Sequence, residues 1–327
     1  MKILVTGAAG LIGSHLCESL LARGDEVIAL DNFNDYYSPA RKQANVASLR
    51  NHSRCTLYEK DIRDEEAIVP VFTKHTPEAV AHLAAYGAVR YSVGRAKLYT
   101  DVNIVGSINL LEAARHADVR NFVFASTSSV YGNTKQLPFT ETDPCNRPLA
   151  PYPASKKAIE VMGHAYHHLH QLNFTAVRFF NVYGPRGRPD MMPFIVTDRI
   201  VTQEEIVLFD AGRMRRDWTY IDDIVTGVIA ALDRPLGYEI INLGRGEPII
   251  MTDFVEIIEA LVGRKAILST PPAPPTEPKI TFANIGKARR LLDYNPQTSI
   301  AGGLARLWEW YQKEVIADNQ QMDASTR

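Results

Sequence analysis

Three glycines that directly follow an apolar N-terminal run constrain the fold of this chain more than any other feature. The apolar run is Lys2–Thr6, and an amphipathic segment begins at Leu11. Gly7 permits a tight turn, Gly10 lets the backbone approach a pyrophosphate, and Gly13 lets a helix pack closely on the strand. The free N–H groups and the positive dipole end of that helix favour phosphate. The pattern predicts a dinucleotide-binding turn made of Gly7, Gly10, Leu11, Ile12 and Gly13.

An acidic residue at the end of the second predicted strand identifies the dinucleotide. Asp31 lies 18 residues after Gly13, close to the spacing of about 20 at which a carboxylate hydrogen-bonds the adenosine ribose. The same carboxylate would repel a 2′-phosphate, so NAD is predicted rather than NADP. A glycine-rich turn followed by a capping aspartate is the alternative interpretation.

Short apolar runs alternate with longer amphipathic stretches through the first half of the chain. The predicted strands are Lys2–Thr6, Glu26–Leu30, Cys55–Glu59, Ala79–Ala84, Asn121–Ala125 and Thr175–Phe180. The predicted helices are Leu11–Arg23, Asp64–His75, Tyr99–His116 and Tyr152–His170. This alternation predicts an α/β fold, a Rossmann-type doubly wound parallel sheet with a smaller C-terminal α/β substrate domain.

Composition and charge exclude several classes of function. Hydrophobic residues make up 46% and charged residues 22% of the chain, with a net charge of −1, so no basic field attracts nucleic acid or an anionic membrane. The three cysteines are widely spaced and predict no disulfide framework or metal site. Met1 leads straight into a predicted strand, and no apolar run is long enough to span a bilayer. We therefore expect a cytoplasmic protein without a signal peptide.

A tyrosine and a lysine four residues apart predict a catalytic pair. Tyr152 and Lys156 begin a predicted helix and share one of its faces. A free tyrosine has a pKa near 10, so it must fall by roughly three units to act as a base near neutral pH. A neighbouring ammonium and a nicotinamide cation are the expected sources of that fall. Such a pair often occurs by chance on exposed helices, but here it follows a glycine-rich turn.

Hydroxyl side chains cluster where the fifth predicted strand ends. Thr127, Ser128 and Ser129 lie at the carboxyl edge of the predicted sheet, where open α/β sheets bind their ligands. We predict that they take part in catalysis and in substrate binding. Ordinary loop capping remains an alternative for Ser128 and Ser129.

Together these motifs resemble the extended short-chain dehydrogenases/reductases that act on nucleotide sugars, over nearly the full length of the chain. Within that superfamily the chain is most similar to the UDP-glucuronate 4-epimerases. The closer similarity lies in Asn32–Tyr37, Val89–Ser92, Gly184–Met191 and Arg216–Asp223. The resemblance implies an isomerase that converts UDP-glucuronate to UDP-galacturonate through a transient 4-keto sugar.

The resemblance also implies roles for individual residues. Arg216 would clamp the UDP pyrophosphate, and Asn181 would contact the diphosphate or the sugar. Arg186 would face the hexuronate carboxylate, with Arg90 as a further contributor, although each arginine could instead be a solvated surface residue. Thr127 stands where the superfamily keeps its catalytic hydroxyl, and Lys156 would also bind the nicotinamide ribose. The further cofactor-binding residues implied are Asn32, Asp61, Ile62, Leu83, Ala84 and Ala85, although Asp61 could simply cap the next helix.

The strand-end motif separates reaction types within the superfamily. Members that dehydrate sugars carry Asp-Glu at the positions of Ser128 and Ser129, and UDP-glucuronate decarboxylases carry Glu at the latter. Two hydroxyls favour plain epimerisation, and with Arg186 they are predicted to hold the carboxylate where CO₂ is not lost. UDP-glucuronate 4-epimerases usually have Thr at the position of Asn181. The alternatives are therefore a 4-epimerase of neutral UDP-glucose or UDP-N-acetylglucosamine, a UDP-glucuronate decarboxylase, and a non-catalytic NAD-binding sensor.

Domain organisation and assembly complete the prediction. We expect an NAD-binding Rossmann domain over 1–180, a nucleotide-sugar-binding domain over 181–315 with interleaved elements, and a frayed tail over 316–327. The resemblance implies a homodimer in which the helices Tyr99–His116 and Tyr152–His170 pair across a two-fold axis. Several histidines of the second helix have metal-ligand spacing, but no cysteine or carboxylate joins them, so no metal is predicted.

Overall fold

A computed structural model describes residues 1–273 and 278–317 of the chain. The strands are β1 (Lys2–Thr6), β2 (Glu26–Asp31), β3 (Cys55–Glu59), β4 (Ala79–His82), β5 (Asn121–Thr127), β6 (Asn173–Phe179), β7 (Val182–Tyr183), β8 (Glu205–Val207), β9 (Arg215–Asp217), β10 (Thr219–Tyr220), β11 (Tyr238–Leu243), β12 (Pro248–Ile250), β13 (Ile267–Ser269) and β14 (Ile280–Thr281). The helices are α1 (Leu11–Arg23), α2 (Pro39–Asn45), α3 (Ala47–Arg50), α4 (Glu65–His75), α5 (Val89–Ser92), α6 (Ala96–Tyr99), α7 (Gly106–His116), α8 (Pro151–His170), α9 (Met192–Thr202), α10 (Ile221–Asp233), α11 (Met251–Val262), α12 (Gly286–Leu292) and α13 (Ile300–Trp310). A short 3₁₀ turn covers Ser128–Tyr131, and π-helical turns cover Thr100–Val105 and Tyr311–Ile316.

In the described part of the chain, seven parallel strands form one sheet in the order β11-β6-β5-β4-β1-β2-β3. The chain winds outward from β1 in one direction to β3 and in the other to β11. The strand order therefore reverses between β1 and β4, which is the point where open α/β sheets place a ligand. The predicted Rossmann-type doubly wound sheet is confirmed.

Helices cover both faces of this sheet because successive apolar side chains of its strands point to opposite faces. Ile3 and Val5 of β1 pack in one hydrophobic cluster with side chains of α1 and α10. Leu4, between them, packs on the opposite face with side chains of α4, α7 and α8. Successive side chains of a strand point to opposite faces, so an uninterrupted apolar strand requires a cover on each side.

Smaller sheets form from the second half of the chain. β9 pairs antiparallel with β12 and parallel with β14, β7 pairs with β10, and β8 pairs with β13. β11 instead pairs with β6 in the large sheet. The division into domains at residues 1–180 and 181–315 stays a prediction. Most of the predicted frayed tail, 318–327, lies outside the described residues, and Ile316 ends a π-helical turn.

Several predicted boundaries differ from the structure: β2 ends at Asp31, β4 ends at His82, and β6 covers Asn173–Phe179. Two further differences have clear physical reasons. β5 extends to Thr127, two residues beyond the predicted end, because Ser126 and Thr127 continue to pair with β6. The helix predicted over Tyr99–His116 is interrupted by the π-helical turn Thr100–Val105 before α7 begins. Within the described residues, no helix combines the length and the apolar character needed to cross a bilayer.

A buried ion pair fastens α8 to the middle of the sheet. Glu160 of α8 accepts hydrogen bonds from Nε and Nη2 of Arg178 on β6, both at 2.8 Å, and both side chains are fully buried. The hydroxyl of Ser126 on β5 donates to Glu160 at 2.6 Å. Burial opposes ionisation of Glu160, but the hydrogen bonds and charge of Arg178 keep the pKa of its carboxyl below the usual value. The pair thus joins one helix to two adjacent strands.

Replacing Glu160 with Gln is expected to lower the free energy of unfolding by about 3–5 kcal/mol, because the Arg178 guanidinium would stay buried without its counter-charge. The folded-state pKa of Glu160 is lowered, so its contribution is complete above the unfolded value of 4.5 and is lost as the pH falls through the folded value. Urea unfolding at several pH values measures both effects. The control is Lys157→Met, which removes a partly exposed partner 3.2 Å from Glu160 and should cost less than about 1 kcal/mol. Equal losses in the two variants would contradict the account.

Candidate functional site

The glycine turn between β1 and α1 brings backbone segments unusually close together. Gly7 has a φ of +71°, and a Cβ atom on it would lie 2.7 Å from the backbone nitrogen of Ala84. A Cβ atom on Gly13 would lie 2.1 Å from the carbonyl oxygen of Gly7. Gly10 precedes α1 in an extended conformation, and no described side chain caps that end of the helix. The N–H groups of Leu11 and its neighbours are therefore suited to the pyrophosphate of a dinucleotide.

Asp31 connects the end of β2 to this turn. Its carboxylate accepts hydrogen bonds from the backbone N–H groups of Ala9 at 3.0 Å and Phe33 at 2.9 Å. Burial raises the pKa of Asp31, and these two hydrogen bonds oppose that rise. A carboxylate accepts about four hydrogen bonds, so it can also receive the ribose hydroxyls of NAD. Asn45, which sequence reasoning missed, donates to the Ala9 carbonyl at 2.9 Å and holds the turn from the other side.

The other predicted cofactor residues lie at the carboxyl ends of the neighbouring strands. Asn32 donates to Asp61 at 2.9 Å, and the hydrogen bonds of Arg63 lower the pKa of Asp61 to about 2. Ile62 is buried close to Gly106. The backbone N–H of Leu83 donates to the Thr6 carbonyl, and that of Ala84 to the Thr6 hydroxyl; Ala85 follows them. The contacts of these residues with a cofactor stay predictions.

The predicted catalytic residues come together where β5 meets α8. Tyr152 and Lys156 lie in the first two turns of α8, and Thr127 ends β5. The Thr127 hydroxyl accepts the backbone N–H of Ser129 at 3.1 Å, and it also acts to lower the pKa of the Tyr152 phenol. Ser128 and Ser129 begin the 3₁₀ turn that follows and are half-buried. A hydroxyl and a phenol are thus placed to share one substrate oxygen.

Burial acts on both members of the catalytic pair. It raises the pKa of Tyr152, while the hydrogen bond from Thr127 and the charge of Arg188 oppose that rise. Burial lowers the pKa of Lys156 to about 7, and its ammonium lies 4.7 Å from the centre of the Phe124 ring. The protein alone therefore does not make the phenol acidic. The fall in the tyrosine pKa expected from the sequence stays a prediction that depends on the positive charge of a bound nicotinamide.

Asn103 is a site residue that sequence reasoning missed. It is buried in the π-helical turn Thr100–Val105, and its side chain bonds both the N–H and the carbonyl of Tyr86 at 2.9 and 3.1 Å. It also donates to the Ser155 hydroxyl at 3.0 Å, next to Lys156. π-helical turns often occur at functional sites, but helical periodicity in the sequence does not reveal them.

Two arginines of the loop after β7, Arg186 and Arg188, have different partners. Arg186 has a φ of +66° and binds both carboxylate oxygens of Glu18 on α1, at 2.9 and 3.0 Å. Arg188 instead acts on Tyr152 through its charge, and a Cβ atom on Gly87 would lie 2.8 Å from its Nη1. The left-handed turn at Arg186 sends two arginines of one short loop to different partners. The contact of Arg186 with a substrate carboxylate stays a prediction, and Arg188 is a second candidate.

The remaining predicted substrate residues, Arg90, Asn181 and Arg216, have contacts within the protein. The Arg90 guanidinium lies 5.5 Å from the centre of the Phe209 ring. Asn181 donates to the carbonyl of Asp217 at 3.1 Å, directly after Arg216. Arg216 donates to the carbonyl of Arg215 at 3.0 Å. Their contacts with a UDP-sugar stay predictions.

Among the described residues, no group of three or more His, Cys, Asp or Glu side chains is arranged to hold a metal ion. The histidines of α8 have other contacts. The His164 ring meets the edge of Tyr238 at 4.9 Å, and Nδ1 of His167 contacts the carbonyl of Leu172.

Comparison with known proteins gives consistent results. The sequence model of the NAD dependent epimerase/dehydratase family matches residues 3–244. The UDP-glucuronate 4-epimerase of Thermodesulfobacterium geofontis (strain OPF15) is 42% identical over 95% of this chain and 96% of its own length. The crystal structure of UDP-glucuronic acid 4-epimerase from Bacillus cereus with UDP-glucuronic acid and NAD matches with a TM-score of 0.89 and 35% identity, over 96% of this chain and 99% of the other. The crystal structure of UDP-glucose 4-epimerase from Thermotoga maritima with UDP-glucose matches with a TM-score of 0.86 and 32% identity, over 96% of this chain and 99% of the other.

Replacing Lys156 with Met is expected to stabilise the nucleotide-free protein, because it removes a buried group that is costly to charge. The folded-state pKa is about 7 against an ordinary 10.5, so the unfolded chain binds more protons between these values. The gain should be largest below pH 7, at about 5 kcal/mol, and should shrink as the pH rises towards 10. Chemical unfolding across this range measures it, with Lys157→Met as the control at the partly exposed neighbour. A Lys156→Met protein no more stable than the natural one at pH 6 would count against the burial argument.

Proposed function

Because this chain belongs to the NAD dependent epimerase/dehydratase family, we propose that it interconverts UDP-glucuronate and UDP-galacturonate by epimerisation at carbon 4. Relatives with this activity match nearly the whole chain at about 40% identity. One observation carries the proposal: Tyr152 and Lys156 lie in the first two turns of α8, where this helix meets Thr127 at the end of β5. Thr127 and the charge of Arg188 both act to lower the pKa of the Tyr152 phenol. That arrangement offers a base for a hydroxyl and a cation for a nearby carboxylate.

NAD is the cofactor, and the residues around the β1–α1 turn fit it. The uncapped start of α1 suits the pyrophosphate, and the Asp31 carboxylate suits the adenosine ribose. When bound, NAD supplies a reversible hydride acceptor for carbon 4 of the sugar. The buried Lys156 holds the nicotinamide ribose and, when charged, favours the ionised form of Tyr152.

The protein's own residues handle the proton. Thr127 orients the sugar 4-hydroxyl, and Tyr152 takes its proton as the carbon is oxidised. Arg216 retains the diphosphate while the 4-keto sugar turns about that linkage and presents its other face. Tyr152 then returns the proton to the oxygen as the carbon is reduced. The side chains finish in their starting state, so one bound cofactor supports repeated turnover.

A uronic acid requires one further task. Its 4-keto form is a β-keto acid, which loses CO₂ when the bond to the carboxylate aligns with the carbonyl π-system. The Arg188 guanidinium, whose charge acts on Tyr152, holds the carboxylate out of that alignment, with the hydroxyls of Ser128 and Ser129 as further donors. A fixed cation for the carboxylate favours UDP-glucuronate over a neutral sugar.

The alternative functions have less support. A UDP-glucose 4-epimerase also matches the fold, and Asn181 departs from the usual threonine, so a neutral UDP-sugar is the second candidate. A decarboxylase would carry Glu at the position of Ser129. A non-catalytic NAD-binding sensor would have no need of both Tyr152 and Lys156.

We also propose that the protein forms a homodimer through α7 and α8. Large apolar side chains are exposed on α8, where Val161 and Leu169 are 60% and 68% accessible, two helical turns apart. Val105, just before α7, is 44% accessible. Such a stripe on adjacent helices suits a self-complementary two-fold interface. The predicted cytoplasmic location stays a prediction.

Replacing Tyr152 with Phe is expected to lower kcat for UDP-glucuronate by about 10²–10⁴-fold, because the proton acceptor is removed while the ring remains. Products from UDP-glucuronate, UDP-glucose and UDP-N-acetylglucosamine are resolved by chromatography. Tyr166→Phe, the same change farther along α8, should retain activity. A natural protein that converts only a neutral sugar would replace the glucuronate assignment, and a fully active Tyr152→Phe variant would refute the mechanism.

Replacing Val161 with Arg is expected to convert the dimer to a monomer, because charge would be placed in the centre of the apolar interface. Sedimentation velocity at micromolar concentration measures the change. Val69→Arg is the matched control, since Val69 is 43% exposed on α4, outside the proposed interface. A natural protein that sediments as a monomer, or a Val161→Arg variant that stays dimeric, would rule out this interface.

A further inference from the structure

We propose that Asp190, supported by Tyr36, is a positioning residue that aims Arg188 at the substrate carboxylate and so sets the preference for a uronic acid sugar. This inference rests on the proposed function and extends it. Neither Asp190 nor Tyr36 needs to touch the substrate, because both act through the guanidinium.

Asp190 engages one edge of that guanidinium. Nε of Arg188 donates to Oδ1 at 2.9 Å, and Nη2 donates to Oδ2 at 2.8 Å. This paired geometry fixes the plane and direction of the arginine head group. Nη1 is the nitrogen that Asp190 does not engage.

Nη1 of Arg188, which Asp190 does not bind, lies close to Gly87. A Cβ atom on Gly87 would lie 2.8 Å from Nη1 of Arg188, so only a glycine lets the guanidinium come this near. Gly87 follows the cofactor-binding stretch Leu83–Ala85 in the loop after β4. The charge of the same guanidinium acts on Tyr152. Nη1 thus lies against the loop after β4 that carries the predicted cofactor-binding residues.

Tyr36 fixes both members of the ion pair. Its hydroxyl donates to Oδ2 of Asp190 at 2.8 Å, and the Arg188 guanidinium lies 5.4 Å from the centre of its ring. The ring is itself held edge-on against Tyr86 at 5.7 Å and Tyr91 at 4.9 Å. Loops that follow β2, β4 and β7 therefore meet around one arginine.

The charges of the pair support one another. Burial opposes ionisation of both groups, but Arg188 keeps the pKa of Asp190 below its usual value, and Asp190 keeps the pKa of Arg188 above its own. Without the charge of Asp190, the Arg188 guanidinium could rotate, and Nη1 would no longer keep its present direction. The change should strongly weaken the binding of only those substrates that carry a charged group in contact with Nη1. A uronate carboxylate is such a group, whereas the hydroxymethyl of a neutral sugar is not.

If the Arg188 guanidinium is wrongly oriented, the enzyme should form a side product from which CO₂ has been lost. In the 4-keto uronate, the electron pair of the C5–C6 bond would move into the carbonyl system as CO₂ leaves. The resulting enolate would take a proton from water at carbon 5, and return of the hydride to carbon 4 would give a UDP-pentose. The ratio of UDP-pentose to UDP-galacturonate therefore reports how well Arg188 is aimed.

The test replaces Asp190 with Asn in the NAD-loaded protein. The UDP-pentose fraction formed from UDP-glucuronate is expected to rise severalfold, because the carboxylate is no longer restrained. In a Tyr152→Phe background, where turnover is blocked, Asp190→Asn should weaken UDP-glucuronate binding by about tenfold and UDP-glucose binding by less than about twofold, as expected for loss of one charge-assisted contact. Tyr36→Phe should shift both readouts in the same direction by a smaller factor.

Asp293→Asn is the matched control. Asp293 accepts one hydrogen bond from Arg234 at 2.8 Å, at the exposed ends of α12 and α10, and its replacement should alter neither readout. Equal weakening of UDP-glucuronate and UDP-glucose by Asp190→Asn, with unchanged product ratio, would show a merely structural role and overturn the inference. A natural protein that does not epimerise UDP-glucuronate would overturn the proposed function as well, so the two failures are distinguishable.

Discussion

The site depends on the contact between the backbone of β1, the start of α1 and the loop after β4. This contact exists because Gly7 and Gly13 have no side chains, since a Cβ atom on either would lie within 3 Å of neighbouring backbone. The packing sets where α1 begins and directs its first N–H groups towards the carboxyl edge of the sheet. The other functional groups lie on strand ends, loops and helical turns that meet this edge, so their relative positions follow from it.

The helix α8, which carries the proposed catalytic pair, is held by polar contacts as well as by apolar packing. Glu160 binds Arg178 on β6 and Ser126 on β5, one turn after Lys156. Asn103 reaches Ser155 from the π-helical turn. A hydrogen-bonded network permits fewer alternative arrangements than an apolar contact, because a shifted partner leaves a buried polar group unsatisfied. The phenol of Tyr152 is therefore directed at Thr127 with little freedom.

Much of the fold and part of the site could be predicted from local sequence patterns. The glycine spacing gave the limits of β1 and α1 correctly, because strand, turn and helix are consecutive in the chain. The proximity of Thr127 to Tyr152 and Lys156 was also predictable. Parallel strands end at one edge of the sheet, and α8 begins at that edge. The different partners of Arg186 and Arg188 were not, because they depend on one left-handed backbone angle. Asn103 was missed because its role arises from an inserted residue in a helix that otherwise keeps the expected apolar spacing.

One feature of α8 links assembly to chemistry. Its first two turns carry Tyr152 and Lys156, while its later turns expose Val161 and Leu169 in the proposed dimer interface. A twenty-residue helix behaves as a nearly rigid rod, so a second subunit that clamps its far end also restricts its near end. Dilution below the dimer dissociation constant would therefore loosen the reacting phenol, and specific activity would depend on protein concentration.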